Sequence, residues 1–387
     1  MIEQGGRGGV ADYTAQLTRA LAEAGWQVSL ATAADHLYEP APGVTVQQVF
    51  HYVRGHSRAA RWVRRCGLGP VANGLRFFAT IPRLIRLAGK VDVVHCQGWE
   101  FAPLGLVAIA CLRPTGVPVV QTPHNTFERR RISLQWTCAA LALLTARTIV
   151  HTRADLKRVV PAARTRVAVI PHGEYAALAS TGGSVDREHA RAELGLGADT
   201  PATLLFGQLR PDKGLADLLT AAARVPRLHV LIGGEENGAL AGAAEQLRSA
   251  ELAGRVTIRE GFLSMAEAAR LFAAADTVAL PYRVASQSGV LLLAYGFHRP
   301  VVVYPVDGLV EAVVDGQTGW ICARPDPDAL AEALKASAKA GWTECQRRGA
   351  AGHRLAHERY AWQTIAERTA RLYGEAMGRP DPEGAAV

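Results

Sequence analysis

The chain has 387 residues, 49% hydrophobic and 20% charged, a balance that suits a globular protein large enough for two ordinary domains. No apolar run reaches the ~18 residues of a membrane-spanning helix, the start MIEQGGRGG carries no signal-peptide pattern, and the six cysteines (66, 96, 111, 138, 322, 345) form no CxxC, which reads as a cytoplasmic protein with reduced thiols and no metal site. Residues 1–172 hold 21 Lys+Arg against 9 Asp+Glu, a net +12, while residues 173–387 hold 22 against 26, a net −4, so the first half suits an anionic partner.

In chain order, GGRGG (5–9) opens a helical pattern in which Val10, Tyr13, Leu17, Ala20, Leu21 and Ala24 share one face, and Gly25 ends it. A glycine-rich loop before a helix lets a ligand approach the backbone, although this one is not GxGxxG. WQVSLAT (26–32) predicts a strand. The segment 40–91 then carries nine Arg+Lys and no acidic residue. Its Arg61, Arg64 and Arg65, with Trp62, Phe77 and Phe78 among the charges, suit an anionic membrane surface or an acidic acceptor. A solvated arginine-rich face explains the same residues, and no nucleic-acid-binding module is present. Further strands are expected at VDVVHC (91–96), VPVVQT (117–122), TIVHT (148–152) and VAVIP (167–171). His95 lies in the first of these and either lines an acceptor pocket or faces the core. His124 follows the second, at the carboxyl edge of a parallel strand, where ligands bind, though a lone histidine is more often structural. His172, in IPHG, reads as a linker residue.

The stretch 173–200 is rich in small and polar residues and is expected to connect two domains. A second strand series follows: ATLLFG (202–207), LHVLIGG (228–234), RVTIREGF (255–262), TVALPY (277–282) and PVVVYPV (300–306). Near-continuous apolar strands separated by helical patterns predict buried parallel sheets. The expected architecture is therefore α/β: two doubly wound, Rossmann-like domains facing across a cleft, at 1–172 and 201–355, with a last helix and tail at 356–387.

The loop after ATLLFG reads QLRPDKG (208–214) and runs straight into a helix. Free N–H groups and the dipole at that helix start favour an anion. Arg210 can fork onto phosphate oxygens, Lys213 adds a point charge, and Gly214 lets the backbone come close. A solvated charged turn is the competing explanation. Ser286, Gln287, Ser288 and Gly289 precede VLLLAYGF and read either as a second anion-facing helix start or as a plain cap. The only DxD is Asp326-Pro-Asp328, at a helix start where acids favour the dipole.

Together GGRGGVADYT, DVVHC, VVQTPHNTF, VIPHG, FGQLRPDKGL, GFLS, LPYRVASQSGVLLLAYGFHRPVVVYPVDGLVEAVVDGQTG and RYAWQTIAERTARLY resemble the retaining GT-B glycosyltransferases of family 4, in a branch with an SQSGV-type loop. The resemblance covers nearly the whole chain. It implies a nucleotide-diphosphate sugar as donor, held by the second domain, and a glycan, lipid-linked or small-molecule acceptor held by the first. No cofactor and no required metal are expected, and the cysteines and the basic segment 40–91 point to a cytoplasmic protein, with an anionic inner membrane face as one expected partner. Arg210 and Lys213 match the basic pair that faces the diphosphate, and His124 matches the histidine near the transferring sugar. Gly9 matches a glycine approaching the donor phosphate, Gly289 and its neighbours the diphosphate-side helix start, and Glu311 the glutamate after PVV. The last helix is expected to cross back to the first domain.

Three departures stand out. Many relatives carry two glutamates eight positions apart, where this chain has Ala285 and Leu293. Gln208 stands where an arginine usually follows the strand glycine, so Arg210 takes its place. Relatives also begin with a full apolar strand where this chain offers Met1-Ile2-Glu3, which leaves either a start placed too late or a short central strand. The expected chemistry is retaining transfer, in which Arg210, Lys213 and helix N-termini stabilise charge on the leaving diphosphate. A GT-B epimerase and a non-catalytic nucleotide-sugar-binding protein are the alternatives. A phosphorylase would need a pyridoxal-binding lysine context, and none is visible.

Overall fold

Short β-branched runs with both faces apolar can be satisfied only by parallel sheets covered with helices, and the computed structural model of the chain has that arrangement. It describes residues 1–39, 41–53, 65–66, 68–99, 102–124, 139–285 and 287–379. The chain divides into two units, Met1–Gly173 with Trp362–Val387, and Glu174–Ala361.

In the first unit β1 (Val28–Ala33) pairs in parallel with β2 (Val44–Phe50), and β3 (Val94–Gln97), β4 (Val119–Thr122), β5 (Arg147–Val150) and β6 (Val167–Val169) follow as a parallel ladder in that order. Ile2 bridges Ala31 on one side and Cys96 on the other, so the first residues run between β1 and β3. The backbone of Ile2 donates to His95 (2.8 Å) and that of Glu3 to Ala31 (3.0 Å). Helices α1 (Gly9–Glu23), α2 (Gly69–Ala88), α3 (Ala102–Leu112) and α4 (Arg153–Arg158) belong to this unit. The C-terminal helix Trp362–Ala376 joins them, burying Ile365, Ala366, Leu372 and Tyr373 against Tyr13, Leu17 and Leu21 of α1.

The second unit is a six-stranded parallel sheet ordered β12-β11-β10-β7-β8-β9. Its strands are β7 (Ala202–Phe206), β8 (His229–Gly234), β9 (Val256–Glu260), β10 (Thr277–Leu280), β11 (Val301–Val303) and β12 (Gly319–Ile321). The stretch 173–200 is not a free connection. From Glu174 onward it belongs to this unit and contains α5 (Ala176–Ser180) and α6 (Arg187–Glu193). Arg191 is 1% exposed and donates to the carbonyls of Gly197, Thr200 and Ala274, which stitches the stretch to the core. Charged groups are buried only with such partners. Four more helices matter below: α7 (Leu215–Ala223), α8 (Met265–Ala274), α9 (Gly289–Gly296) and α10 (Pro327–Tyr360), the last broken at Gly341 (φ 76, ψ 175). Among the described residues no helix is long and apolar enough to cross a membrane.

Candidate active site

The loop after β7 is shaped by packing. Gly214 lies in the left-handed region (φ 73, ψ 30) and opens α7. A Cβ there would sit 2.1 Å from the carbonyl oxygen of Pro281, just past β10, so only glycine fits. This close approach fixes the turn Pro211–Lys213 at the carboxyl edge of the sheet. The Arg210 guanidinium lies on the Asp212 carboxylate, Nε to Oδ1 at 2.9 Å and Nη2 to Oδ2 at 3.0 Å, and keeps 45% of its side chain exposed. Lys213 Nζ stands 3.7 Å above the ring centroid of Tyr282, a cation–π contact.

A third cation, which the sequence reading did not single out, completes this group. Arg283 follows Tyr282, and its N–H points at the Asp212 carbonyl (3.4 Å). Its Nη2 contacts both oxygens of Asp217, in the first turn of α7, at 2.9 Å. Tyr304 also donates to Asp217 (3.0 Å), and burial, then the Asp217 charge, push its hydroxyl pKa up. The available signal was LPYR, which places an arginine three residues beyond β10, at the same edge as QLRPDKG.

The second expected helix start is present. Ser288 caps α9 by accepting from the Leu291 N–H (3.3 Å), and Gly289 is packed so closely that a Cβ would lie 3.2 Å from the Tyr175 ring. Val290, in the first turn of α9, lies against Gly207 at the end of β7, where a Cβ would be 3.2 Å from its Cγ2. The N-termini of α7 and α9 therefore open at one edge of one sheet. Gln287 is half-buried just before the cap, and Ser286 lies outside the described residues. Ala285 and Leu293 are buried in the apolar core of the unit, so packing occupies the two positions where relatives place carboxylates. Glu311 is exposed at the end of the short helix Asp307–Val310. Asp326 caps α10 through the Ala329 N–H (2.8 Å) and Asp328 pairs with Arg224. Among the described residues no group of three His, Cys, Asp or Glu is placed to hold a metal ion.

In the first unit a buried carboxylate organises the glycine loop. Glu3, 3% exposed, accepts from the N–H groups of Gly5 (2.6 Å) and Gly6 (2.7 Å), from Thr32 Oγ1 (3.1 Å) and from Tyr38 Oη (2.8 Å). Gly9 opens α1, and nothing lies within 4 Å of where its Cβ would be, so the helix start is open to a ligand. His124, at the carboxyl end of β4, is half-buried in a cluster of rings. Its Nε2–H donates to Gln97 Oε1 (2.9 Å), and its ring stands edge-on to Tyr13 with centroids 4.7 Å apart. Its Nδ1 faces His151 Nε2 at 3.4 Å, while His151 Nδ1–H donates to the Ile170 carbonyl (3.0 Å). Both facing nitrogens are thus bare when the rings are neutral. Burial, then the neighbouring His151, His172 and His95, hold the His124 pKa well below the usual histidine range.

The structure decides between the two places expected for His95 and changes the reading of His172. His95 faces the core: it is 2% exposed, with Nδ1 on Tyr373 Oη (2.5 Å) and Nε2 on Thr122 Oγ1 (2.8 Å). The cavity of about 590 Å³ that it borders lies at the amino ends of β1 to β3, whereas His124 follows the carboxyl end of β4. His172 is no linker residue either; it is buried, with its ring 4.8 Å from that of Tyr13. Arg61 and Arg64 lie outside the described residues, and Arg65 is exposed.

Comparison with known proteins follows the two units. Residues 7–173 match the family described as Glycosyltransferase Family 4, and residues 200–339 match Glycosyl transferases group 1. The D-inositol 3-phosphate glycosyltransferase of Mycolicibacterium gilvum is 30% identical over 355 residues, covering 85% of this chain and 77% of the relative. Its counterpart in Corynebacterium diphtheriae is 28% identical over 403 residues, covering 96% and 91%. Among solved structures, Anabaena Alr3699/HepE in complex with UDP superposes with a TM-score of 0.74 at 18% identity, covering 97% of this chain and 98% of that one. A glycosyltransferase from Rickettsia africae gives 0.76 at 13% identity, covering 98% of each chain. At these identities the structures speak for the fold.

Proposed function

We propose, from the premise that this chain belongs to glycosyltransferase family 4, that it moves a sugar from a nucleotide-diphosphate donor to a phosphorylated or lipid-linked acceptor with retention of configuration. Membership of that family makes it a glycosyltransferase with the two-domain, Rossmann-like GT-B fold. The observation that carries the donor reading is the gathering of Arg210, Lys213 and Arg283 beside the N-termini of α7 and α9. Cations and free N–H groups at one edge suit two linked phosphates. They also stabilise the negative charge that grows on the diphosphate as it leaves, the usual large term in such sites. The sugar C1–O bond to phosphate breaks, the acceptor hydroxyl oxygen bonds to C1 on the same face, and its proton passes to the departing phosphate oxygen. His124, kept neutral by burial beside His151, His172 and His95, acts as a hydrogen-bonding partner near the sugar, not as a cation.

Alr3699/HepE has been solved with UDP-glucose, so that donor is the first to try. The relatives named D-inositol 3-phosphate glycosyltransferases make an inositol phosphate the first acceptor, and the net +12 of residues 1–172 favours an anionic one. One observation favours a non-catalytic binder: Ala285 and Leu293 are core residues and offer no carboxylate to the donor. The deciding experiment incubates the full chain with UDP-, GDP- and ADP-sugars, with and without inositol 3-phosphate, in EDTA and in magnesium. Release of nucleoside diphosphate with a product of unchanged anomeric configuration by NMR is expected. Binding without release from any pair would establish the binder, and an inverted product would overturn retention. His124→Ala is expected to cut release while nucleotide affinity and Tm hold.

A further inference from the structure

Helix α2 (Gly69–Ala88) buries one face normally, with Phe77, Thr80, Leu84 and Ala88 all under 8% exposed. It carries a second apolar stripe that nothing among the described residues covers. Leu68, just before it, is 46% exposed, Val71 61%, Leu75 68%, Phe78 47% and Ile85 36%. At 3.6 residues per turn these five, with exposed Pro82 between them, fall within about 100° of one another, on the side away from the buried face. Single exposed apolar residues need no explanation, but an aligned run of five on one helix does. Arg76, Arg83 and Arg86 are all exposed and flank this stripe along one side. No Asp or Glu occurs anywhere in residues 40–91.

We infer that this face of α2 docks the enzyme on a bilayer containing anionic phospholipid, with Leu75 and Phe78 entering the headgroup–acyl boundary and Arg76, Arg83 and Arg86 meeting the lipid phosphates. Charge complementarity selects the occupant. A protein–protein contact would be served by an apolar face with mixed charges at its rim, whereas a stripe bordered only by arginines in an acid-free segment matches an interfacial helix on a negative surface. The inference goes beyond the proposed chemistry and does not depend on which donor is used, because α2 carries none of the groups assigned to the donor or to the transferring sugar.

The test is cosedimentation of the full chain with vesicles of phosphatidylcholine, with and without phosphatidylglycerol, at low and high salt. Binding is expected only with phosphatidylglycerol, falling steeply as salt rises. The double variant Leu75→Ser/Phe78→Ser is expected to weaken binding roughly tenfold. Both side chains are exposed, so the variant folds, and UDP affinity and Tm are read in parallel to show it. Arg83→Ser/Arg86→Ser is expected to weaken binding and flatten its salt dependence. Failure to bind phosphatidylglycerol vesicles at low salt overturns the inference, as does binding untouched by the Leu75/Phe78 change. So does a concentration-dependent dimer, by light scattering, that the same change abolishes, since a second copy would then own this face. Nucleotide binding that survives any of these results leaves the glycosyltransferase chemistry standing.

Discussion

Acidification should destabilise the first unit through its buried histidines, and the size of the effect can be worked out. His95, His151 and His172 are 2%, 7% and 9% exposed, and burial lowers their pKa values from 6.5 to about 3, about 4 and about 3 respectively. They are neutral when folded but take up protons near 6.5 when unfolded, so their contribution is complete above that pH and is lost as pH falls from 6.5 towards 3. At pH 5.5 each unfolded histidine gains about 1.4 kcal/mol of protonation free energy that its folded counterpart does not, or about 4 kcal/mol for the three relative to neutral pH. For a unit of this size that is roughly 8–16 °C in Tm. His124 adds to it in the same direction. Calorimetry from pH 7.5 to 5.5 measures the loss, and NMR of the histidine ring protons reports each group directly. His151→Gln can keep the hydrogen bond to Ile170 and removes one of four titrating rings, so it is expected to shrink the loss by about a quarter. A Tm that stays flat across this range, or histidine signals that titrate near 6.5, would refute the reasoning.

Gly214→Ala forces a side chain into the left-handed region, a cost of about 1–2 kcal/mol before the clash with Pro281 is counted; UDP affinity by calorimetry is expected to fall at least tenfold with a lowered Tm, and wild-type values for both would contradict the close-approach argument. Arg210→Ala and Lys213→Ala are each expected to weaken UDP binding by about 1.5–3 kcal/mol, roughly 10- to 150-fold, with Tm little changed. Glu3→Gln leaves a neutral acceptor where a carboxylate held Gly5 and Gly6, so a loss of about 1–3 kcal/mol is expected in denaturant unfolding, with donor hydrolysis impaired.

The parallel strands were legible because both of their faces are buried, which leaves an uninterrupted apolar run. VVQT, ATLLF and HVLIGG were each read to within two residues of their observed ends. β2 was missed because it is an edge strand whose VTVQQVF is interrupted by two adjacent glutamines and only partly buried, and β12 because three residues carry no period. The stretch 174–200 read as a connection because its small residues give no signal. What folds it in is the burial of Tyr175, Ala179, Ala190 and Leu196 together with buried Arg191, and the carbonyls that Arg191 meets are fixed only by tertiary structure. Arg210 and Lys213 could be named because loop position and residue type suffice there. For Arg283 the loop position in LPYR was the only sequence signal, and its pairing with Asp217 and its contact with Asp212 are fixed by tertiary structure.

The same distinction bears on the glutamates absent at 285 and 293. A residue motif tests for carboxylates at two sequence positions, and by that test the chain is deficient. The structure instead holds carboxylates one step behind each of the two loops proposed to face the donor. Glu3 holds the amides of Gly5 and Gly6 ahead of α1, and Asp217 holds Arg283 beside the Arg210–Lys213 turn. Each sits under backbone or cationic groups whose geometry a diphosphate or sugar would require, and each is largely buried, so its charge is little screened by solvent. Carboxylates in those places hold the amides of the glycine loop and the Arg283 guanidinium in position. Under the proposed function, Gln287, Ser288 and His124 are the residues to test for contact with the sugar hydroxyls. Substitution at these three sites should separate sugar selectivity from nucleotide affinity, whereas substitution of Glu3 or Asp217 should damage the two together.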